Sequence, residues 1–150
     1  MARHVATIEW EGQGGFRENS YSRAHVWRFD GGAVVAASSS PHVVPLPMSD
    51  PAAVDPEEAL VASASSCHML WFLHLARDAG FEVARYRDEA VGTMAKDERG
   101  RMAMTRLVLR PVIVFAGAEP DAATLARLHH DAHEKCFIAN SLRSEIVVEG

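Results

Sequence analysis

The chain holds two thiols, Cys67 and Cys136, and no others. A lone pair of cysteines in a reducing compartment points to redox work or metal binding sooner than to a structural disulfide. Five small residues, Ala62-Ser63-Ala64-Ser65-Ser66, precede Cys67, so another backbone or a small ligand can come close to its sulfur. Cys136 stands in the run His133-Glu134-Lys135-Cys136-Phe137. The two suit an attacking and a resolving thiol, provided that the attacker is held as thiolate by a nearby cation or a helix N-terminus. The plainer alternative is that each packs as a small hydrophobe.

The cation must come from elsewhere in the chain. Cys67 lies too deep in its own helix to feel that helix's N-terminal dipole. Arg23 is the best-placed candidate, with Arg17 and Arg28 close by; it falls on a strand face shared with Tyr21, His25, Trp27 and Phe29, where a charge needs an anionic partner. Glu57 or Glu58 offers the carboxylate to orient it. Glu57 precedes Cys67 by about 15 Å of helix at 1.5 Å per residue, so either Arg23 bridges the gap or two copies of the helix cross antiparallel about a two-fold axis. Beside the nucleophile stands His68, a titratable imidazole, although adjacent helical positions point about 100° apart. His129, His133 and Cys136 share one helical face and form a possible zinc or copper stripe.

The elements that must position these groups can be read from the caps and periodicities. Asp55 at an N-cap, Pro56 at the first helical position, Glu58 three residues after the cap and Gly80 at the end predict one long helix. Its lower half, Met69 to Leu75, is apolar on nearly every side, which predicts a helix buried all round. Before it, His4–Trp10 alternates as a half-buried strand, and Tyr21–Phe29, the turn Asp30-Gly31-Gly32 and Ala33–Ser38 make a hairpin. Residues 41–55 hold four of the seven prolines and read as an irregular loop. After Gly80, Glu82–Ala95 and Met102–Phe115 form a long hairpin about Asp97-Glu98-Arg99-Gly100, with Pro111 at an edge or bulge. A second helix runs from near Pro120 to Cys136, and Glu145–Glu149 closes the chain as a strand. Strands and helices in separate runs give an α+β fold in a single domain, residues 1–150.

Composition narrows the partners. A net charge of −5 argues against nucleic acid, which demands a basic face. There is no run of about 18 consecutive apolar residues to span a membrane, and the alternating N-terminus lacks a signal peptide's apolar core, so the expected location is cytoplasmic.

With Asp55-Pro56-Glu57-Glu58-Ala59-Leu60, Cys67 ten residues after Glu57, and His133-Glu134-Lys135-Cys136 followed by Asn140-Ser141-Leu142, the chain resembles the OsmC/Ohr family of osmotically inducible and organic hydroperoxide resistance proteins. The element order is similar across essentially all 150 residues. The resemblance implies antiparallel sheets around a long buried central helix, an intertwined homodimer, and thiol-dependent reduction of organic hydroperoxides. It matches Cys67 to the peroxidatic cysteine, Cys136 to the resolving cysteine, Arg23 to the catalytic arginine and Glu57 to the carboxylate that holds it. It implies no cofactor or metal, only an external dithiol reductant such as a lipoyl or thioredoxin-like protein. Two positions depart from the pattern: Phe137 stands where proline commonly follows the second cysteine, and His68 where an apolar residue follows the first. The mechanism expected is attack of the Cys67 thiolate on the peroxide, giving a sulfenic acid that Cys136 converts to an intramolecular disulfide. Residues 42–48, with Trp71 or Phe72, would supply an apolar entrance. The competing reading is a non-catalytic dimer that binds a small ligand or a metal.

Overall fold

Three short strands and long connecting loops precede the first helix. The computed structural model describes all 150 residues, in two compact units, 1–59 and 60–150. In the first, β1 (Ala6–Glu9), β2 (His25–Phe29) and β3 (Val34–Ala37) form an antiparallel sheet in that order. The β2–β3 turn closes as expected, with Gly32 at φ +99° and its N–H donating to Phe29 O at 3.0 Å. Two expectations change. Tyr21–Ala24 is not strand, because Arg23 N–H donates instead to Met48 O at 2.7 Å and ties this stretch to the proline-rich loop. And β1 is exposed at every residue rather than half-buried.

The helix α1 (Pro56–Asp78) starts and stops where the sequence signals do. Asp55 Oδ1 accepts from the Glu58 N–H while the Asp55 N–H donates to Glu58 Oε1, both at 2.9 Å. At the other end Gly80, at φ +88°, donates to Arg77 O and Phe81 donates to Ala76 O, which satisfies two of the last carbonyls. Asp55→Ala should therefore cost about 1 kcal/mol of stability, read as a lower urea midpoint with unchanged slope; no loss would mean that the cap is dispensable.

The expectation of burial all round is corrected. Only Ala64, His68, Phe72 and Ala76, a single stripe at four-residue spacing, are buried, whereas Leu70 is 61% exposed. The chain has enough of its own surface to cover one face of α1, not the rest. By length and mean hydropathy, 1.3, α1 passes the test for a membrane span, which core helices of soluble proteins also pass.

In the second unit the expected long hairpin is cut in two. β4 (Glu82–Asp88) pairs antiparallel with β7 (Pro111–Ala116), while β5 (Val91–Lys96) and β6 (Met102–Leu109) pair in a different sheet. Both strands break at the same level, where Asp88 Oδ1 accepts from the Arg110 N–H at 2.6 Å. Pro111, with no N–H to donate, opens β7 just past the break. β8 (Glu145–Val148) joins β6 in parallel, an exception in an otherwise antiparallel set. The second helix, α2 (Ala122–Lys135), begins after Asp121, whose side chain accepts from the Thr124 N–H at 2.7 Å. Its Leu128 and Ala132 meet Phe72 and Ala76 of α1 in the core, flanked by Tyr86, Ile113 and Phe115. The α+β class stands.

Candidate active site

The two cysteines, far apart in the chain, come together. Cys136 is the C-cap of α2: its N–H donates to His133 O at 3.2 Å, and the chain turns so sharply after it that the Ala139 N–H donates to its sulfur at 3.4 Å. It is 1% exposed. Burial pushes its thiol above the ordinary range; the Ala139 N–H opposes this, and the neighbouring Cys67 thiol adds to it. Cys136 is thus a protonated thiol at neutral pH. Both cysteines are free, and Cys67 is half-buried.

Cys67 also opens onto an apolar cleft of about 280 Å³ lined by Leu70, Trp71, His74 and Phe137. The first three follow Cys67 by three, four and seven residues, the spacing that puts side chains on one helical face. Trp71 lies edge-on to Phe137, with ring centroids 5.5 Å apart and planes at 73°. Of the two aromatics expected at an entrance, Trp71 takes the place and Phe72 does not; Phe72 is fully buried in the core. Sequence reading noted Phe137 only as a departure from proline, and missed Leu70 and His74. The i+3, i+4, i+7 pattern from Cys67 was the signal available for those two.

His68 faces away from this cleft. It is 1% exposed, and its Nε2 lies 3.0 Å from His129 Nδ1, the two rings nearly parallel at 8°. Phe72 stacks on the His129 ring, centroids 4.5 Å apart. Burial, with lesser contributions from His129 and His133, lowers the His68 pKa to about 4, against the pull of Asp88. Burial lowers that of His129 too. Both imidazoles are neutral at pH 7, so His68 brings no positive charge to the neighbouring cysteine. Of the stripe read from the sequence, His129 directs Nδ1 to His68 and the Cys136 sulfur accepts from the Ala139 N–H, and His129, His133 and Cys136 are not grouped as a set of metal ligands.

Arg23 and Glu57 are not paired with each other. The Arg23 guanidinium donates to Tyr21 O at 2.6 Å and to Asn19 Oδ1 at 2.8 Å, and lies 3.5 Å over the Tyr21 ring. The anionic partner expected for it is replaced by a carbonyl, an amide oxygen and a π face, all from its own loop. Arg28 is a solvated surface residue, 3.5 Å from Glu9. Glu58 serves the cap alone. Glu57 has a buried carboxylate oxygen, Oε2, with no hydrogen-bond partner.

With this geometry in view, the chain can be set beside known proteins. The family model described as OsmC-like protein matches residues 49–149. A structure described as an OsmC-like protein of unknown function, from Vibrio cholerae, is 50% identical, covers 99% of both chains and superposes with a TM-score of 0.97. An organic hydroperoxide resistance protein from Elizabethkingia anophelis has the same fold at 17% identity, with a TM-score of 0.70 over 99% of this chain and 93% of that one. The organic hydroperoxide resistance protein OhrB of Bacillus subtilis does so at 19%, with a TM-score of 0.64 over 97% and 95%. No curated protein matches.

Proposed function

Starting from the fact that the chain belongs to the OsmC-like family, we propose that it is a thiol-dependent peroxidase that reduces organic hydroperoxides to alcohols. The observation that carries this reading is the nearness of a buried, protonated thiol to a second thiol that lines an apolar cleft. The organic hydroperoxide resistance proteins that share the fold point the same way.

In the proposed cycle the Cys67 thiolate attacks the distal peroxide oxygen. The O–O bond breaks as an S–O bond forms, and the alkoxide takes a proton and leaves as alcohol. The Cys136 sulfur then attacks the sulfenic sulfur, the hydroxyl leaves as water, and a Cys67–Cys136 disulfide remains for an external dithiol of the lipoyl or thioredoxin-like kind to reduce. Apolar walls at Leu70, Trp71 and Phe137 favour an organic substituent on the peroxide over hydrogen peroxide. Arg23 is assigned the cation that holds Cys67 ionised, and Glu57 the carboxylate that orients it; the unpartnered Glu57 Oε2 supports the second assignment. We place this site in a homodimer. The uncovered apolar side chains Leu70, Ile8 and Val34, 61%, 59% and 57% exposed, support a second copy.

Intact mass of the reduced protein after one equivalent of an organic hydroperoxide tests the cycle. The expected result is a loss of two hydrogens per chain in the wild type, and a gain of one oxygen in Cys136→Ser. An unchanged mass in both would end the peroxidase reading.

A further inference from the structure

We propose a second binding site, separate from the thiols: a cavity between α2 and β8 that takes a small neutral alcohol or phenol, its hydroxyl hydrogen-bonded to His129 Nε2. The cavity measures about 380 Å³, at the small end of the roughly 300–1,000 Å³ typical of ligand pockets. His129, His130 and His133 of α2 line one side, and Leu125, Ile146 and Val148 supply apolar wall. Neither cysteine takes part.

His129 is 7% exposed, and its Nε2 is a buried nitrogen with no hydrogen-bond partner. Its other nitrogen is already committed to His68. A buried polar atom left without a partner is costly, and native structures seldom keep one without a reason. Access to the nitrogen runs past Gly150, whose position is such that a Cβ there would stand 3.6 Å from Nε2. Gly150 lies at the exposed rim of the cavity, beside this nitrogen.

The chemical class follows from what the lining contains and lacks. No Lys, Arg, Asp or Glu side chain lines the cavity, so an ionised ligand would be desolvated with no fixed countercharge. Burial holds His129 in its neutral form. The single proton shared between His68 and His129 leaves Nε2 either as a donor or as an acceptor, depending on the tautomer. A hydroxyl does both and satisfies either state. The rest of the ligand is an apolar body small enough for the aliphatic walls.

The probe is 4-fluorophenol, titrated into reduced, 15N-labelled wild-type protein while the imidazole nitrogens are followed by NMR. The expected result is a saturable shift at His129 Nε2, with binding about tenfold weaker for 4-fluorobenzoate, of similar size but ionised at pH 7.5. Ala126→Trp, which fills the cavity from an exposed helical position, and His129→Phe should each weaken 4-fluorophenol binding at least about tenfold. A His129 signal that does not respond, equal binding of the benzoate, or undiminished binding in a folded Ala126→Trp protein overturns the proposal. Each result is read at His129, so it stands apart from the thiol cycle, which the mass experiment decides.

Discussion

Cys67→Ser is expected to bring hydroperoxide consumption down to the uncatalysed level, while Cys136→Ser keeps a first turnover and loses the later ones. The asymmetry follows from where the sulfurs sit. Cys136 is 1% exposed, burial raises its pKa, and its sulfur does double duty as an acceptor at the end of α2. A thiol held protonated is a poor nucleophile, because the thiolate does the attacking. Cys67 lines the cleft through which a substrate would arrive. In the proposed cycle, loss of Cys67 removes the atom that attacks, and a serine hydroxyl does not replace it at neutral pH. On the same proposal, loss of Cys136 removes only the thiol that clears the sulfenic acid, so an oxidised intermediate should accumulate after one event per chain. Stopped-flow consumption of a hydroperoxide, at several equivalents over enzyme, distinguishes the two variants. A Cys67→Ser protein that still turns over, or a burst that persists in Cys67→Ser and disappears in Cys136→Ser, would reverse the assignment of attacker and resolver.

Acid should unfold this protein through its buried imidazoles. His68 has a folded pKa of about 4 against about 6.5 in the unfolded chain. The folded state therefore favours the neutral form. Its stabilising effect is complete above pH 6.5 and is lost as pH falls from there towards 4, where the unfolded chain takes up a proton that the folded one resists. The full effect is about 3 kcal/mol from this group alone. The titratable groups that face it are His129 and His133 from α2 and Asp88 from β4, the last opposing the shift. Removing one ring is not equivalent to removing both. His129→Leu leaves His68 Nε2 buried without its partner and should cost about 1–3 kcal/mol at pH 7. The double replacement His68→Leu with His129→Leu exchanges a satisfied polar pair for apolar volume and should recover most of that. Urea midpoints between pH 7 and 4.5 provide the check, with the double variant losing less over the interval than the wild type. Parallel pH profiles for the two proteins would show that the imidazoles do not govern the acid limb.

What could be read from the sequence was the part governed by neighbours along the chain. The Asp55–Glu58 cap, the stop at Gly80, the Asp97–Gly100 turn and the start of α2 each depend on a few consecutive residues, and each appeared within a residue or two of its expected place. The misses depended on partners distant in sequence. Within residues 82–115 only Pro111 hinted at an interruption, as an edge or a bulge; that the hairpin parts there into two sheets, with β8 from the far end of the chain alongside β6, was not legible. The tyrosine beneath Arg23 was visible in the sequence, but a charge on an aromatic-rich face was read as seeking a carboxylate, and cation–π stacking with local carbonyl acceptors satisfied it instead. The family pattern singled out both cysteines, and the structure adds their nearness and the difference in their surroundings. The His68–His129 pair lay out of reach, since periodicity describes faces of one helix and this contact joins two.

Asp88 accepts the Ser65 hydroxyl with one carboxylate oxygen and the Arg110 amide with the other. The first bond clamps α1 from the side and sets the helix's rotation about its own axis. Ser65 turned towards β4 leaves Cys67, two positions on and about 200° around, directed to the cleft, and sends His68 inward to meet α2. The carboxylate at the seam between the sheets thus acts as an angular stop for the helix, deciding which of two adjacent side chains meets solvent and which is sealed inside.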